Sequence, residues 1–510
     1  MSSRKYKNLH TKEKPLAERP IRFLHIADIH LGFRQYNSFE RERDFFLSFE
    51  SAIERYALPL HEGDPPQVDF VIIAGDLFDS RTLQPITLSR TTHVLSLLKE
   101  EGIPVFAIEG NHDAARWHRD QEPNWYDYLA GEEMMIYLRD YTRDGQIHLE
   151  PWSDEELRGS YYDFNDEIRI VGTHWYGATA HNMLGQLEEA LAGLPPKPFN
   201  IVMFHGGLTD YVNEMHAGIS YEQLLPLREY IQYFALGHVH KRYERQNWVF
   251  NPGSLESCKI REYFEEHGLF VIEVGDGEVA ESFHHTDYYS RPFISMHMDC
   301  DLYKTPEEVE AAVHELVADQ GKAQLHKIKA TWPEDIDYAA PVCQLEFTGT
   351  LGFPFSEIPM KSLEPWIKEQ LGAFMLRYIN DTTPLDYGQE EDYKERDGRI
   401  DRALLEKKIF QALFHLDTRF RPWSDPLSRF ATTLKQRLID DEIAEEELGE
   451  IIEKIDELLK TEGKIEEDPE EQEALTQELG ALLNETDGQE DITAAPAEES
   501  AQTSFLEEGV

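Results

Sequence analysis

The chain has 510 residues, enough for two or three domains, and its formal charge of −49 opposes broad electrostatic binding of nucleic acid, which normally needs a basic footprint. No apolar run reaches the ~20 residues that span a bilayer, and the N-terminus lacks the apolar segment of a secretory signal, so a soluble, cytoplasmic protein is expected. Three widely spaced cysteines, Cys258, Cys300 and Cys343, suit a reducing compartment and exclude a disulfide framework or a cysteine-based zinc site, which leaves His, Asp and Asn as metal donors.

Residues 1–19 hold Arg4, Lys5, Lys7, Lys12, Lys14 and Arg19 against Glu13 and Glu18 and show no apolar periodicity, the composition of a mobile basic arm. From Ile21 short apolar strands alternate with amphipathic helices. Residues 21–27 end at Asp28-Ile29-His30, and Phe45, Phe46, Phe49 and Ile53 then recur at helical spacing. Residues 69–74 are a second strand closed by Gly75-Asp76, residues 86–98 read as a helix, and residues 103–108 are a third strand opening onto Gly110-Asn111-His112-Asp113. This β-α-β-α-β order predicts a largely buried sheet with helices on its faces, in a domain over residues 20–290. Further strands are expected at 168–173, 200–204, 233–236, 248–251 and 269–274.

A second pattern covers residues 291–396: alternation at 293–302, a helix at 306–318, alternation at 342–347, a helix at 363–371 and a strand at 374–379. It reads as a small α+β domain without a polar cluster of its own, suited to shaping a substrate. Residues 397–461 are wholly helical, with Leu427, Phe430, Ala431, Leu434 and Leu438 in one apolar stripe and Leu448, Ile451, Ile452, Ile455, Leu458 and Leu459 in another. Such thin helices suit docking onto another protein and equally suit packing on their own domain. Residues 462–510 read as a disordered acidic tail. From Asp440 onward 26 acidic residues face three lysines, so the rest of the chain still carries −26, the composition of an acidic or high-salt proteome.

Polar residues gather just behind these strands, where open α/β sheets place their ligands: Asp28 and His30; Asp76 and Asp79; Asn111, His112 and Asp113; His205; His238 and His240. The x-separated pairs, if extended, point both side chains the same way. Seven such donors suit two divalent cations ~3.5–4 Å apart, bridged by a carboxylate. Asp28, His30 and His240 are assigned to the first ion, Asn111, His205 and His238 to the second, and Asp76 to both. Nitrogen and oxygen donors admit Mn, Fe or Zn, with manganese the expected ion. His112 is left to face the departing oxygen as general acid or transition-state donor, and Asp79 is expected to accept from its other ring nitrogen and fix the tautomer. Asp113 is expected to cap a turn, and His25, His93, His174 and His216 to be surface or satisfied core residues.

Taken together, Asp28-Ile29-His30, Gly75-Asp76-Leu77-Phe78-Asp79, Gly110-Asn111-His112-Asp113, His205 and Gly237-His238-Val239-His240 resemble the five motifs of calcineurin-like metallophosphoesterases. More narrowly, Asp28-Ile29-His30-Leu31-Gly32, Gly75-Asp76-Leu77-Phe78-Asp79 and Pro252-Gly253-Ser254 are similar to the SbcD-type DNA repair nucleases, and residues 347–353 resemble bacterial members. The likeness runs over roughly residues 21–460 and is strongest in the first 255. It implies a metallophosphoesterase sandwich of mixed β-sheets flanked by helices, a two-metal DNA exonuclease and endonuclease acting in double-strand-break repair, a capping domain that positions DNA ends, C-terminal helices that bind an SbcC-type coiled-coil ATPase, and a homodimer. Archaeal and eukaryotic members carry His where Asp79 stands. Arg34, Arg81, Arg116, Arg119, Lys241, Arg242 and Arg261 lie near the motifs and are candidates to line a DNA groove. Two other readings stay open: a phosphodiesterase for nucleotides or other small substrates on the same metal core, and a non-catalytic scaffold, against which the intact ligand set argues.

Overall fold

The computed structural model describes residues 20–113, 124–212, 218–384, 402–416 and 423–439. The basic arm, the acidic tail, the stripe at 448–459, Arg116, Arg119 and His216 therefore lie outside the described residues. Two compact units divide the chain: Met1–Met296 with Leu316–Leu345 and Glu364–Tyr378 in the first, and His297–Glu315, Glu346–Leu363 and Ile379–Val510 in the second.

In the first unit, strands β1 (Ile21–Ile26), β2 (Phe70–Ala74), β3 (Val105–Ile108), β4 (Ile136–Tyr137), β5 (Tyr141–Arg143), β6 (Gln146–His148), β7 (Tyr161–Asp163) and β8 (Ile168–Gly172) come before β9 (Phe199–His205), β10 (Tyr233–Gly237), β11 (Tyr243–Arg245), β12 (Val249–Asn251), β13 (Leu269–Gly275) and β14 (Glu278–His285). Its helices include α1 (Phe39–Tyr56), α2 (Pro85–Glu100), α3 (Trp125–Gly131), α4 (Ala180–Ala192) and α5 (Tyr221–Leu224). Two six-stranded sheets result, in the orders β14-β13-β1-β2-β3-β4 and β11-β12-β10-β9-β8-β7. In each the inner strands run parallel and antiparallel strands close an edge.

Period-2 side-chain alternation explains why two sheets form rather than the single sheet suggested by strand order. Phe23, Phe70, Ile72, Phe106 and Ile108 of the first sheet meet Ile170, Ile201, Met203, Ala235 and Phe250 of the second in one buried layer. Their neighbours point outward. Leu24, Val71, Ile73 and Ala107 pack under Phe49, Ile53, Val94 and Leu98 of α1 and α2, while Val171, Val202, Phe204 and Phe234 pack under Leu184, Leu187 and Leu224 of α4 and α5. Strands buried on both faces carry no polar alternation, and so read as continuous apolar runs.

Helix α1 starts where Ser38 accepts from the Arg41 N–H and Glu40 and Glu42 face the positive end of the helix dipole, and Arg55 sits in its last turn. Its buried face also carries charge. The Arg41 guanidinium is fully buried and donates to Gln35 at 2.6 Å, Asp44 at 2.6 Å and Glu256 at 3.0 Å. Arg291, at the start of the second sequence pattern, donates to Asp44 through Nη2 at 2.9 Å, and its N–H meets Glu256 at 2.9 Å. Two cations and two carboxylates thus neutralise each other in a buried network.

Beyond residue 291, strands Phe293–Asp299, Val342–Thr348 and Met375–Asn380 form a three-stranded sheet with Val342–Thr348 in the middle, and helices lie at Pro306–Leu316, Lys322–Thr331 and Met360–Leu371. In the second unit, helices Arg402–Leu416 and Ser424–Ile439 lie against each other, tied by Lys407–Asp425 at 3.4 Å and by Lys435–Glu406. Leu427 and Phe430 of the first apolar stripe are buried, while Ile409 and Leu413 stay exposed. No helix among the described residues is long and apolar enough to cross a membrane.

Breaking a buried ion network by removing one partner leaves the others unpaired, which costs roughly 3–5 kcal/mol. Arg41→Ala is therefore expected to lower unfolding stability by that amount in urea titration, with the midpoint moving at unchanged slope; an unaltered midpoint would show that Arg291 alone neutralises both carboxylates.

Candidate metal centre

The polar residues singled out by the sequence do converge, but from the edges of two sheets. Asp28, His30, Asp76, Asn111 and His112 follow β1, β2 and β3, whereas His205 ends β9 and His238 and His240 follow β10. The backbone that delivers them is not extended. Asp28, His30, Asp76 and His238 have φ of 52°, 51°, 50° and 83°, the left-handed region that non-glycine residues rarely enter. The expectation that x-separated pairs share a face of an extended segment is thus replaced: the chain curls past each strand end and turns the side chains inward.

Strand pairing carries on into these curls. The N–H of Asp28 donates to Gly75 O at 3.1 Å, Ile29 and His30 donate to Asp76 O at 2.9 and 3.1 Å, and Leu31 donates to Leu77 O at 2.9 Å. Gly75 has φ of 93°, and a Cβ there would lie 2.2 Å from His205 Nδ1. Gly110 has no unusual φ; it is required because a Cβ would fall 2.1 Å from Asp76 Oδ1.

The tautomers follow from hydrogen bonding. His205 Nδ1 lies 2.9 Å from Ala74 O and must donate to it, so the neutral ring turns the Nε2 lone pair toward Asn111 Oδ1 at 3.0 Å and Asp76 Oδ2 at 3.3 Å. His238 Nδ1 reaches the same amide oxygen at 2.8 Å. His240 Nδ1 lies 3.1 Å from Glu262 Oε1, and its Nε2 faces His30 Nε2 at 3.1 Å. His30, only 1 % exposed, has no hydrogen-bond partner at Nδ1. Electron pairs aimed at one another in a dry site repel unless a cation lies among them, so this donor set fits metal ions. Asp28, Asp76 and His205 form one group able to hold an ion, His30, Asp76 and His112 another, and Asp76 is common to both.

With no ion between them, the imidazoles and the carboxylate compensate each other. Burial would raise the Asp76 carboxyl, but the His205 imidazole beside it, with His30 and His112, holds it well below the ordinary carboxylate range. Burial depresses His205, yet Asp76 outweighs it and lifts the imidazole to about 9. Asp28, buried and accepting the His238 N–H at 2.9 Å, is raised by burial.

His112 is placed differently from the buried ligands. Its side chain is 40 % exposed, its N–H donates to Asp76 Oδ1 at 2.9 Å, and its ring stands 4.7 Å from that of His30. The expected Asp79 contact is altered: His112 Nδ1 donates to the Asp79 backbone carbonyl at 2.7 Å, while the carboxylate Oδ1 sits 3.7 Å from that nitrogen and 3.6 Å from His30 Nδ1. A main-chain oxygen fixes the tautomer, and the carboxylate lies between two imidazoles. Asp113 accepts from the N–H groups of Gly110 and Phe78 at 3.1 and 3.0 Å and from the Tyr126 hydroxyl at 2.7 Å, pinning the turn.

Of the five described candidate groove residues, Arg34, Lys241 and Arg242 are neutralised and Arg81 and Arg261 show no ion pair among the described residues. Arg34 pairs with Glu42 at 2.9 Å and stacks on Phe39, Lys241 pairs with Glu265 at 2.5 Å, and Arg242 lies 3.6 Å from Glu244 and 3.5 Å from Glu266. Arg81 is exposed. Sequence reasoning missed three residues of the site. Glu262 orients His240; Cys258 stands with His30 and His240 in a third group able to hold an ion; and Glu109, buried before Gly110, accepts from Tyr137 at 2.9 Å and meets His174 at 3.2 Å. Glu262 falls eight residues beyond Ser254, in a stretch with no strand signal, and nothing local marks it.

Residues 21–242 match the family model of the calcineurin-like phosphoesterases. The chain is 29 % identical over 248 residues to the DNA double-strand break repair protein Mre11 of Archaeoglobus fulgidus, covering 48 % of this chain and 52 % of that one. It is 30 % identical over 268 residues to the Mre11 of Methanocaldococcus jannaschii, with 50 % and 63 % covered, and 28 % identical over 308 residues to that of Methanococcus maripaludis, with 57 % and 74 % covered. The chain thus spans about half the length of the first of these relatives. Motifs, two-sheet architecture and family match agree that residues 21–242 carry a domain similar to the calcineurin-like phosphoesterases.

Proposed function

We propose that this chain is a metal-dependent DNA nuclease that hydrolyses phosphodiester bonds at double-strand breaks. The observation that carries the reading is the convergence of imidazole, amide and carboxylate donors on Asp76, with three imidazole nitrogens turned toward other acceptors at 3.0–3.3 Å. Asp28, His30 and His240 would hold one ion, Asn111, His205 and His238 the other, and Asp76 would bridge them. Bound there, two divalent cations supply Lewis acidity to a phosphate ester and acidify water for in-line attack on phosphorus.

The chain's own groups do the rest. Hydrogen bonds to Ala74 and Glu262 orient His205 and His240 and raise their basicity as ligands. His112, the exposed imidazole, keeps Nδ1 on the Asp79 carbonyl and presents Nε2 to the leaving oxygen, where it donates a proton. The Asp79 carboxylate lies 3.7 Å from that Nδ1, beside the ring it would serve.

The Mre11 relatives are named for DNA double-strand break repair, which supports DNA as substrate. The proposal extends to an SbcC-type ATPase partner bound through 397–461, a homodimer and a cytoplasmic, nucleoid-associated location. On this reading residues 20–290 are the nuclease domain and 291–396 cap it. A second reading, a small phosphodiester as substrate, is favoured by the carboxylate pairing of Arg34, Lys241 and Arg242. Incubation with manganese separates the two: cleavage of linear duplex DNA supports the nuclease, whereas turnover of a small diester with DNA left intact supports the alternative.

His112→Ala is expected to lower cleavage by roughly 10²–10⁴-fold, the usual worth of a positioned acid, while elemental analysis finds unchanged metal. Loss of metal in that variant would make His112 a ligand. Deleting residues 400–460 is expected to abolish capture of the ATPase while leaving hydrolysis of a generic phosphodiester in place; equal capture by the truncated chain would assign the docking surface elsewhere.

A further inference from the structure

The three cysteines are too widely spaced for a cysteine-based zinc site, yet one of them, Cys258, stands beside two of the candidate ligands. Cys258 Sγ, a nitrogen of His30 and a nitrogen of His240 all lie within 4.8 Å of one another. Two cysteine-free groups share Asp76; this third group does not include it, and it defines the His30–His240 end of the centre.

Cys258 is held in place by the same groups that hold the imidazole beside it. Its N–H donates to Glu262 Oε2 at 2.8 Å, and the other oxygen of that carboxylate lies 3.1 Å from His240 Nδ1. Its carbonyl accepts from Gln35 Nε2 at 2.7 Å, and Gln35 is itself buried and bonded to the buried Arg41. One carboxylate thus fixes the ring of His240 and the backbone of Cys258 in a common frame. Across from them His30 is buried, turns Nε2 toward His240 at 3.1 Å, and has no hydrogen-bond partner at Nδ1. Cys258 is half-buried; Cys300 and Cys343 are buried, and neither stands in any group able to hold an ion among the described residues.

We propose that Cys258 supplies a sulfur donor to the ion held by His30 and His240. The inference rests on the two-ion reading above and adds a difference between the positions: one offers nitrogen, oxygen and sulfur, the other nitrogen and oxygen alone. A thiolate favours zinc, iron(II) and cobalt(II) over manganese, and its proton is released to solvent as the ion enters. The centre is then selective at one position and permissive at the other, which suits a mixed-metal pair.

Cobalt(II) tests this without recourse to activity. The full chain, freed of metal and titrated with cobalt, is expected to take two ions and develop a near-ultraviolet sulfur-to-cobalt charge-transfer band that is lost in Cys258→Ala and in the volume-conserving Cys258→Ser, both of which retain Cys300 and Cys343. Zinc affinity at that position should fall in the same variants by at least the roughly 10–100-fold that loss of an outer partner costs, with manganese affinity little changed. Two bound cobalt ions without the band, or a band that survives in Cys258→Ala, would overturn the sulfur ligand and leave the two-ion centre standing. Failure to bind cobalt at all would overturn both.

Discussion

The carboxylate of Asp76 is the point on which the rest of the structure depends. It is 1 % exposed, its backbone sits at φ of 50°, Oδ1 accepts the His112 N–H at 2.9 Å, and Oδ2 lies 3.3 Å from His205 and 3.9 Å from His30. A buried carboxylate among imidazoles is stable only with compensating positive charge. Four residues of the site hold left-handed backbone, each at a cost of order 1–3 kcal/mol, and such strain persists only where surrounding structure over-determines it. The continued pairing of the two curls, together with the Asp113 clamp on Gly110 and Phe78, provides that constraint.

Much of the scaffold was legible because its burial is two-sided. Residues 70–74 and 105–108 face helices on one side and another sheet on the other, so they read as unbroken apolar strands. Strands such as Glu278–His285 and Tyr161–Asp163, with mixed burial, gave no such signal. Strand order alone hid the second sheet, which the family resemblance supplied: alternation within an all-apolar strand leaves no trace of which residues meet a helix and which meet a sheet.

The site was legible as a set of residues and not as a geometry. Its donors stand out because an amide, imidazoles and carboxylates behind apolar strands have no packing role. The left-handed curls are invisible in residue type, since Asp28 and His30 are not the glycines that such backbone favours. Cys258 and Glu262 were missed because their link to His240 is made in space, eighteen or more residues along the chain. For Asp79 the residue was identified, but the atom that holds His112 belongs to its backbone.

Charge divides the surface from the centre. Among the described residues the acidic composition leaves basic side chains such as Lys241 and Arg242 beside carboxylates, so on the proposed reading ions at the centre would carry much of the affinity for a polyanion. The central claim is that two ions share Asp76, and electron paramagnetic resonance of the chain loaded with excess manganese tests it most directly. An exchange-coupled pair of manganese ions is predicted, giving way to a signal from isolated ions or to no bound manganese in Asp76→Ala; a spectrum of independent ions in the unaltered chain would contradict the account.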